Sequence, residues 1–323
     1  MKIAITGANG FVGSNLVSAL QAEGHEVLAL VRSVASSQLL DNLVKTVVVN
    51  YEDMANLYSA LLDCDVVIHN AGKTKALYPE EMMATNVGIT ENIIIAINSI
   101  DKPVQLIYIS SQAASRPSYG NVPVKESDKP SPLTSYGRSK LAAEVLIRRT
   151  CNKPFTIIRP CAVYGFGDKD FLSLFKMVRL GFSISIGRED RMMNMIYVNE
   201  LASFIILCLQ NPAAFGETFF ATDGQTYRQS DVLAYIALAL HKKPVKLVIP
   251  NLIAKLLFYS VGAFGKIFSV PMLMNKDKMK EVLAEGWLAD SSKAKEILGW
   301  NPQPDLKLHI LETAKCYKKL GWL

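Results

Sequence analysis

The sequence predicts an α/β protein: a doubly wound parallel sheet covered by helices on both faces, with a smaller C-terminal lobe interleaved with it. Three observations carry this. Short β-branched runs alternate with stretches of helical spacing through the first half of the chain, a glycine-rich turn joins the first run to the first helical stretch, and the alternation breaks after about residue 165.

The strand candidates are "KIAIT" (2–6), "EVLALV" (26–31), "TVVVN" (46–50), "DVVIHN" (65–70), "VQLIYIS" (104–110) and "FTIIRP" (155–160). They are apolar almost throughout, the pattern of strands buried on both faces rather than one. Helical stretches such as 11–24, 54–63 and 84–99 lie between them and supply right-handed crossovers. Beyond residue 165, helical stretches at 169–180, 199–210 and 229–241 alternate with isolated strand-like runs such as "ETFFAT" (217–222).

The turn "TGANGFVG" (6–13) places Gly7, Gly10 and Gly13 between the first strand and the first helix. Gly7 permits the tight turn, Gly10 lets the backbone approach a pyrophosphate, and Gly13 lets the helix pack on the strand. The helix N-terminus adds unpaired amides and partial positive charge. This is a Rossmann-type site for a dinucleotide, with Thr6, Asn9, Phe11 and Val12 completing the loop. The second strand ends in Val31, Arg32 and Ser33, without the carboxylate that holds a ribose 2′-hydroxyl. Arg32 suits a 2′-phosphate, so NADP is favoured and NAD is the alternative. Residues 1–165, with a segment near 190–215, are expected to form the dinucleotide-binding domain, and 166–190 with 216–323 the substrate-binding lobe.

At 323 residues, 50% hydrophobic and 20% charged, the chain can bury a large core as one or two closely joined domains. The net charge of +6 is scattered and lacks interleaved aromatics, which argues against nucleic acid. Five cysteines without a CxxC pair, and four separated histidines, give no zinc pattern and fit free thiols in a reducing cytoplasm. The first strand begins at Lys2 and leaves no room for a signal peptide, so the expected location is cytoplasmic. Lys255, Lys266 and Pro271 interrupt the apolar stretch 252–274, which reads as amphipathic helices rather than a membrane span.

Taken together, "TGANGFVG", "DVVIHNAG" (65–72), "NVGITEN" (86–92), "YISSQAA" (108–114), "SYGRSK" (135–140), "RPCAVYGFGD" (159–168) and "ADSSKAKEILGWNP" (289–302) resemble the extended short-chain dehydrogenase/reductase superfamily, including its NAD-dependent epimerase/dehydratase family. The resemblance implies a catalytic set. Tyr136 and Lys140 match the YxxxK pair, Ser111 the serine after the fifth strand, and Asn86 an asparagine of the helix after the fourth strand. Ser110 competes with Ser111, and the 25-residue spacing to the tyrosine favours Ser111. It also implies cofactor contacts at Asn50 and Tyr51 near adenine, at Ala71, Gly72 and Lys73 after the fourth strand, and at Pro160 and Val163 beside the nicotinamide.

A tyrosine near its usual pKa of ~10 is a poor base at neutral pH, and a nearby ammonium lowers that value. Four-residue spacing puts Lys140 on the helical face of Tyr136. Ser111 would hydrogen-bond a substrate oxygen while Tyr136 exchanges a proton with it.

Relatives that act on nucleotide sugars carry an Arg where Met193 stands, with Arg191 as the nearest substitute, and a further Arg upstream of "ADSSKA" that has no counterpart here. Leu256, Leu257, Phe258, Phe264, Phe268, Met272, Leu273 and Met274 read foremost as core, then as an apolar substrate pocket, and least as a membrane-contacting face. The pattern is nearer the hydroxysteroid dehydrogenase and dihydroflavonol reductase-like branches. The leading expectation is therefore an NAD(P)-dependent oxidoreductase interconverting a secondary alcohol and a ketone on a small, fairly apolar molecule. The alternatives are a nucleotide-sugar epimerase or dehydratase, and a non-catalytic cofactor-binding regulatory protein. The resemblance implies a homodimer through the helices near 84–99 and 133–150.

Overall fold

The computed structural model of the chain describes residues 1–37, 44–76, 78–187, 190–267 and 276–323, and side chains within these except at 34, 37, 261–267 and 276. Its strands are β1 (Lys2–Thr6), β2 (Glu26–Val31), β3 (Lys45–Val48), β4 (Val66–His69), β5 (Gln105–Ile109), β6 (Phe155–Pro160), β7 (Ala162–Tyr164), β8 (Phe182–Ile186), β9 (Met192–Met193), β10 (Met195–Tyr197), β11 (Thr218–Ala221), β12 (Tyr227–Arg228), β13 (Val245–Ile249) and β14 (Gly286–Trp287). Its helices are α1 (Phe11–Ala22), α2 (Val34–Ser37), α3 (Met54–Leu61), α4 (Pro79–Asn98), α5 (Ser135–Thr150), α6 (Leu172–Arg179), α7 (Val198–Leu207), α8 (Gln229–Ala239), α9 (Asn251–Ile267), α10 (Lys276–Val282), α11 (Ser292–Leu298) and α12 (Leu306–Lys319).

Seven strands form one parallel sheet in the order β11-β6-β5-β4-β1-β2-β3. The two-residue period of a strand sorts its side chains between two cores. Ile3 and Ile5 of β1, with Val66 and Ile68 of β4, join Leu16 of α1 and Phe204 and Ile205 of α7. Ala4 and Val67, one residue out of phase, join Leu57 of α3, Ile93 and Ile97 of α4, and Ala143 and Ile147 of α5. Burial on both faces explains why the strands are apolar throughout rather than alternating. The chain reverses direction across the sheet between β1 and β4, the crevice where open α/β sheets bind ligands at the strands' C-terminal ends.

The second lobe packs around Phe175 of α6, Ile236 of α8 and Tyr317 of α12, with small two- and three-stranded sheets at its edge. One strand departs from the expected boundary at 216. Thr218–Ala221 of "ETFFAT" pairs parallel with β6 as the edge of the main sheet. The reason is its two buried aromatic faces, since Phe219 enters the α1/α7 core and Phe220 a cluster with Cys161 and Ala289. The segment after it follows, because Ala294 and Trp300 also enter the α1/α7 core. The Trp300 indole donates to the Thr222 carbonyl at 2.9 Å.

Among the described residues, no helix is long and apolar enough to cross a membrane. Of the apolar residues singled out between 252 and 274, Phe264, Phe268, Met272, Leu273 and Met274 lie outside the described side chains.

Candidate active site

The glycine turn is shaped by close backbone approach. Gly7 has φ +68°, and a Cβ there would lie 2.9 Å from the Ala71 backbone. A Cβ at Gly13 would lie 2.1 Å from the Gly7 carbonyl oxygen and 2.8 Å from Ala8 Cα. Gly10 precedes α1 as its N-cap, with no side chain capping the helix and no acid in its first turn. The first-turn amides are therefore left for an anion, with nothing negative on the helix to compete, which fits a dinucleotide pyrophosphate. Asn9 is half-buried in the loop, Val12 lines the cavity below it, and Phe11 packs against the second lobe.

Three of the residues expected to contact the cofactor also pack or bond within the protein. Thr6 is fully buried, its hydroxyl accepting from the Ala71 amide (2.9 Å) and bonded to His69 Nδ1 (2.8 Å), so it ties β1 to the loop after β4. Tyr51 is buried in the α3/α4 core, where its ring completes that apolar cluster. Asn50 turns its amide oxygen back to the Glu52 amide at 3.1 Å. Arg32 remains exposed at the end of β2, its charge close enough to act on the Tyr51 phenol.

A cavity of about 180 Å3 opens at the crevice, lined by Val12 and Gly72 on one side and by Ser111, Tyr136, Lys140, Pro160 and Val163 on the other. A larger cleft of about 440 Å3, lined by Lys125, Arg148, Lys293 and acidic neighbours, holds none of the predicted site residues.

Local structure brings Ser111 to Tyr136. The Ser111 hydroxyl accepts from the Ala113 amide (3.1 Å) and so begins a 3-10 turn, Gln112–Ala114. Thr134 caps α5 by accepting from the Gly137 amide at 3.0 Å. Gly137 lies directly on the 3-10 turn, where a Cβ would sit 2.1 Å from the Ala113 carbonyl oxygen. This contact holds α5 against the turn that carries Ser111, whose hydroxyl acts on the Tyr136 phenol. The neighbouring Ser110 hydroxyl instead donates to Glu144 Oε1 at 2.5 Å, inside the protein.

Burial pushes the Tyr136 phenol up to about 12, while the hydrogen bond from Ser111 pulls it down. The expected lowering by Lys140 is absent, for a geometric reason. The buried Lys140 ammonium donates to the Ile109 carbonyl at 2.8 Å and stands 4.8 Å over the Tyr108 ring but 6.0 Å from that of Tyr136. Burial pushes Lys140 down to about 8, with Glu144 opposing.

Asn86 does not touch the phenol. Its Oδ1 accepts from the Lys73 amide (2.6 Å), and its Nδ2 donates to the Lys73 carbonyl (3.0 Å) and to Ser139 Oγ (2.9 Å). It thus clamps the loop of Ala71, Gly72 and Lys73 onto α5. The Lys73 side chain is turned outward to Glu81 at 2.9 Å. Gly72 keeps that loop close: a Cβ there would meet Lys140 Nζ at 3.3 Å.

Sequence reasoning missed two supports. Glu144 continues the Tyr136, Lys140 series at four-residue spacing and forms a buried two-point ion pair with Arg159 (Nε–Oε1 2.9 Å, Nη2–Oε2 2.6 Å). A carboxylate in step with Tyr136 and Lys140, and an arginine inside the apolar run "FTIIRP", were the available signal. The other support is Gly137, whose signal was a glycine inside a helix, a position that costs ~1 kcal/mol relative to alanine unless packing needs it.

A doubly wound sheet with a glycine-lined crevice and a serine–tyrosine pair beside it defines a dinucleotide-dependent enzyme class. Residues 3–220 match the NAD dependent epimerase/dehydratase family, and the chain belongs to it. It is therefore an NAD(P)-dependent enzyme of the extended short-chain dehydrogenase/reductase superfamily. It is 28% identical to a UDP-glucose 4-epimerase of Vibrio cholerae, over 98% of this chain and 95% of that one. It is 25% identical to a ceramide reductase of Caulobacter vibrioides, over 99% and 96%. The fold is that of a solved UDP-glucose 4-epimerase with UDP-glucose from Thermotoga maritima, at TM-score 0.79 and 18% identity over 99% of both chains.

Proposed function

We propose that this chain is an oxidoreductase, with NADP preferred over NAD, that interconverts a ketone and a secondary alcohol on a fairly apolar small molecule. The observation that carries the substrate class is the state of Arg191. Its Nε donates to the Ala284 carbonyl at 2.9 Å and its Nη1 to the Ile186 carbonyl at 2.5 Å. The nearest candidate for gripping a nucleotide diphosphate is thus spent on backbone carbonyls, while Met193 lies in β9 paired with Tyr227 and Trp287. A diphosphate needs charge-assisted contacts of the kind these positions do not offer.

The glycine turn and α1 N-terminus would hold the pyrophosphate, Arg32 a 2′-phosphate, and Val12, Pro160 and Val163 the nicotinamide end, where the bound cofactor supplies or accepts hydride. Ser111 orients the substrate oxygen by hydrogen bonding. Tyr136, a neutral phenol at pH 7, gives its proton to that oxygen in the reduction direction and is recharged from solvent afterwards. Lys140 holds positive charge beneath the site, and Asn86 positions the loop beside it. The same reading includes a homodimer through α4 and α5, which expose Met83, Ile95 and Val145.

A second reading, a nucleotide-sugar epimerase, is favoured by the Vibrio cholerae relative that matches nearly end to end. The two differ in their electron balance. A ketone reductase consumes one NADPH per alcohol formed, lowering absorbance at ~340 nm, whereas an epimerase shows no net change. Apolar ketones and UDP-sugars offered separately with NADPH test this. Epimerisation of a UDP-sugar without net cofactor change, and no turnover of any apolar carbonyl, would overturn the proposal.

A further inference from the structure

α9 is built inside out for a soluble surface helix. Ala254 and Phe258, one turn apart, face inward, but Leu252 is 70% and Leu256 63% exposed, and Ile253 and Leu257 also lie open. An ordinary surface helix turns such a stripe to the core. The strand before it does the same. β13 pairs in parallel register with β8, matching Phe182 with Val245 and Ile184 with Leu247, so these side chains share one face. Phe182, Val245 and Leu247 on it are exposed.

These segments adjoin. Only Pro250 separates β13 from α9, and the Asn251 side chain that opens α9 lies against Gly187 at the end of β8. Leu180, also exposed, sits beside the start of β13, where the Val245 amide donates to the Gly181 carbonyl at 2.8 Å. Exposed apolar surface of this extent marks an interaction site rather than ordinary scatter.

The charge of the region names the partner. Between Asp231 and Asp277 the sequence contains no Asp or Glu but has Lys242, Lys243, Lys246, Lys255, Lys266 and Lys276. The first four are exposed, and none of them pairs with a carboxylate among the described residues. A two-fold self-contact through this face would bring like charges together, since each copy presents the same patch. Exposed apolar side chains in a carboxylate-free, lysine-bearing segment, on a helix that does not span, are instead complementary to an anionic bilayer surface, where the leucines enter the acyl boundary and the ammoniums meet phosphate headgroups.

We propose that the β8–β13 face and residues 251–260 of α9 form a peripheral docking surface for anionic phospholipid membranes. This goes beyond the oxidoreductase reading and does not depend on it. The test is flotation of the full chain, without cofactor, on vesicles of phosphatidylcholine alone or with phosphatidylglycerol. The chain should float with the anionic vesicles only, and lose binding as salt rises from about 0.1 M to about 1 M. Leu252→Asp with Leu256→Asp, and separately Lys242→Glu with Lys243→Glu, should each weaken partitioning at least about tenfold with unchanged melting temperature. Because these side chains are exposed, the substitutions leave the core intact. Failure of the unaltered chain to float overturns the proposal, as does equal flotation on both vesicle types. Leucine substitutions that change oligomeric state but not flotation overturn it too, by assigning the face to a second copy.

Discussion

Replacing Gly137 by alanine inserts one methyl group between α5 and the 3-10 turn that carries Ser111. The new Cβ would lie 2.1 Å from the Ala113 carbonyl oxygen, 2.9 Å from its carbon and 3.0 Å from Pro132 Cβ. The first two neighbours are backbone and cannot rotate away, so the helix and the turn must separate by about 1 Å, an overpacking cost of ~1–3 kcal/mol. The separation falls between Ser111 and Tyr136, and a 1 Å misplacement of reacting groups costs ~10²-fold in rate. The expected outcome is a kcat about 100-fold lower for the carbonyl substrate followed at ~340 nm, with cofactor affinity changed less than about threefold, since the glycine turn is elsewhere. Melting temperature should fall by several degrees. Gly88→Ala in α4 is the control: a Cβ there meets nothing within 4 Å, so it should gain ~0.5–1 kcal/mol from helix propensity. Wild-type kcat in Gly137→Ala, with an unchanged melting temperature, would refute the claim that this contact positions the pair.

Glu144→Ala leaves the buried Arg159 charge and the Ser110 hydroxyl without their partner and should cost ~3–5 kcal/mol in urea unfolding; Glu144→Leu with Arg159→Met should recover most of it. Because the phenol titrates near 12 and Lys140 near 8, reduction should be flat at neutral pH and decline above about 8, and a rate that climbs from pH 7 to 10 would contradict this. By linkage, the lowered Lys140 value means the unfolded chain binds that proton more readily, so stability contributed by this group rises with pH between about 8 and ~10.4. Lys140→Met should remove that slope. Arg32→Ser should lower the preference for NADPH over NADH by ~10–100-fold, read as the ratio of kcat/KM values, if the guanidinium meets the 2′-phosphate.

The sheet and the dinucleotide turn were legible because each depends on local rules. Strands buried on both faces must be apolar throughout, and a glycine turn between β1 and α1 has few other uses. "KIAIT", "EVLALV" and "FTIIRP" match β1, β2 and β6 residue for residue for this reason. The spacing of Tyr136 and Lys140 likewise guaranteed a shared helical face. What spacing does not determine is where a side chain's end goes. Lys140 turns to the Ile109 carbonyl, Tyr51 into a core, and Arg191 to two backbone carbonyls, each drawn by neighbours distant in sequence. Glu144 and Arg159 draw the Ser110 hydroxyl inward, and the edge position of β11 follows from the two buried phenylalanines that need a sheet face and a covering cluster. Periodicity records which way a residue points along its own element. Tertiary packing alone decides what it meets there, because burial, partner atoms and the room for a methyl group at Gly137 belong to the assembled surfaces.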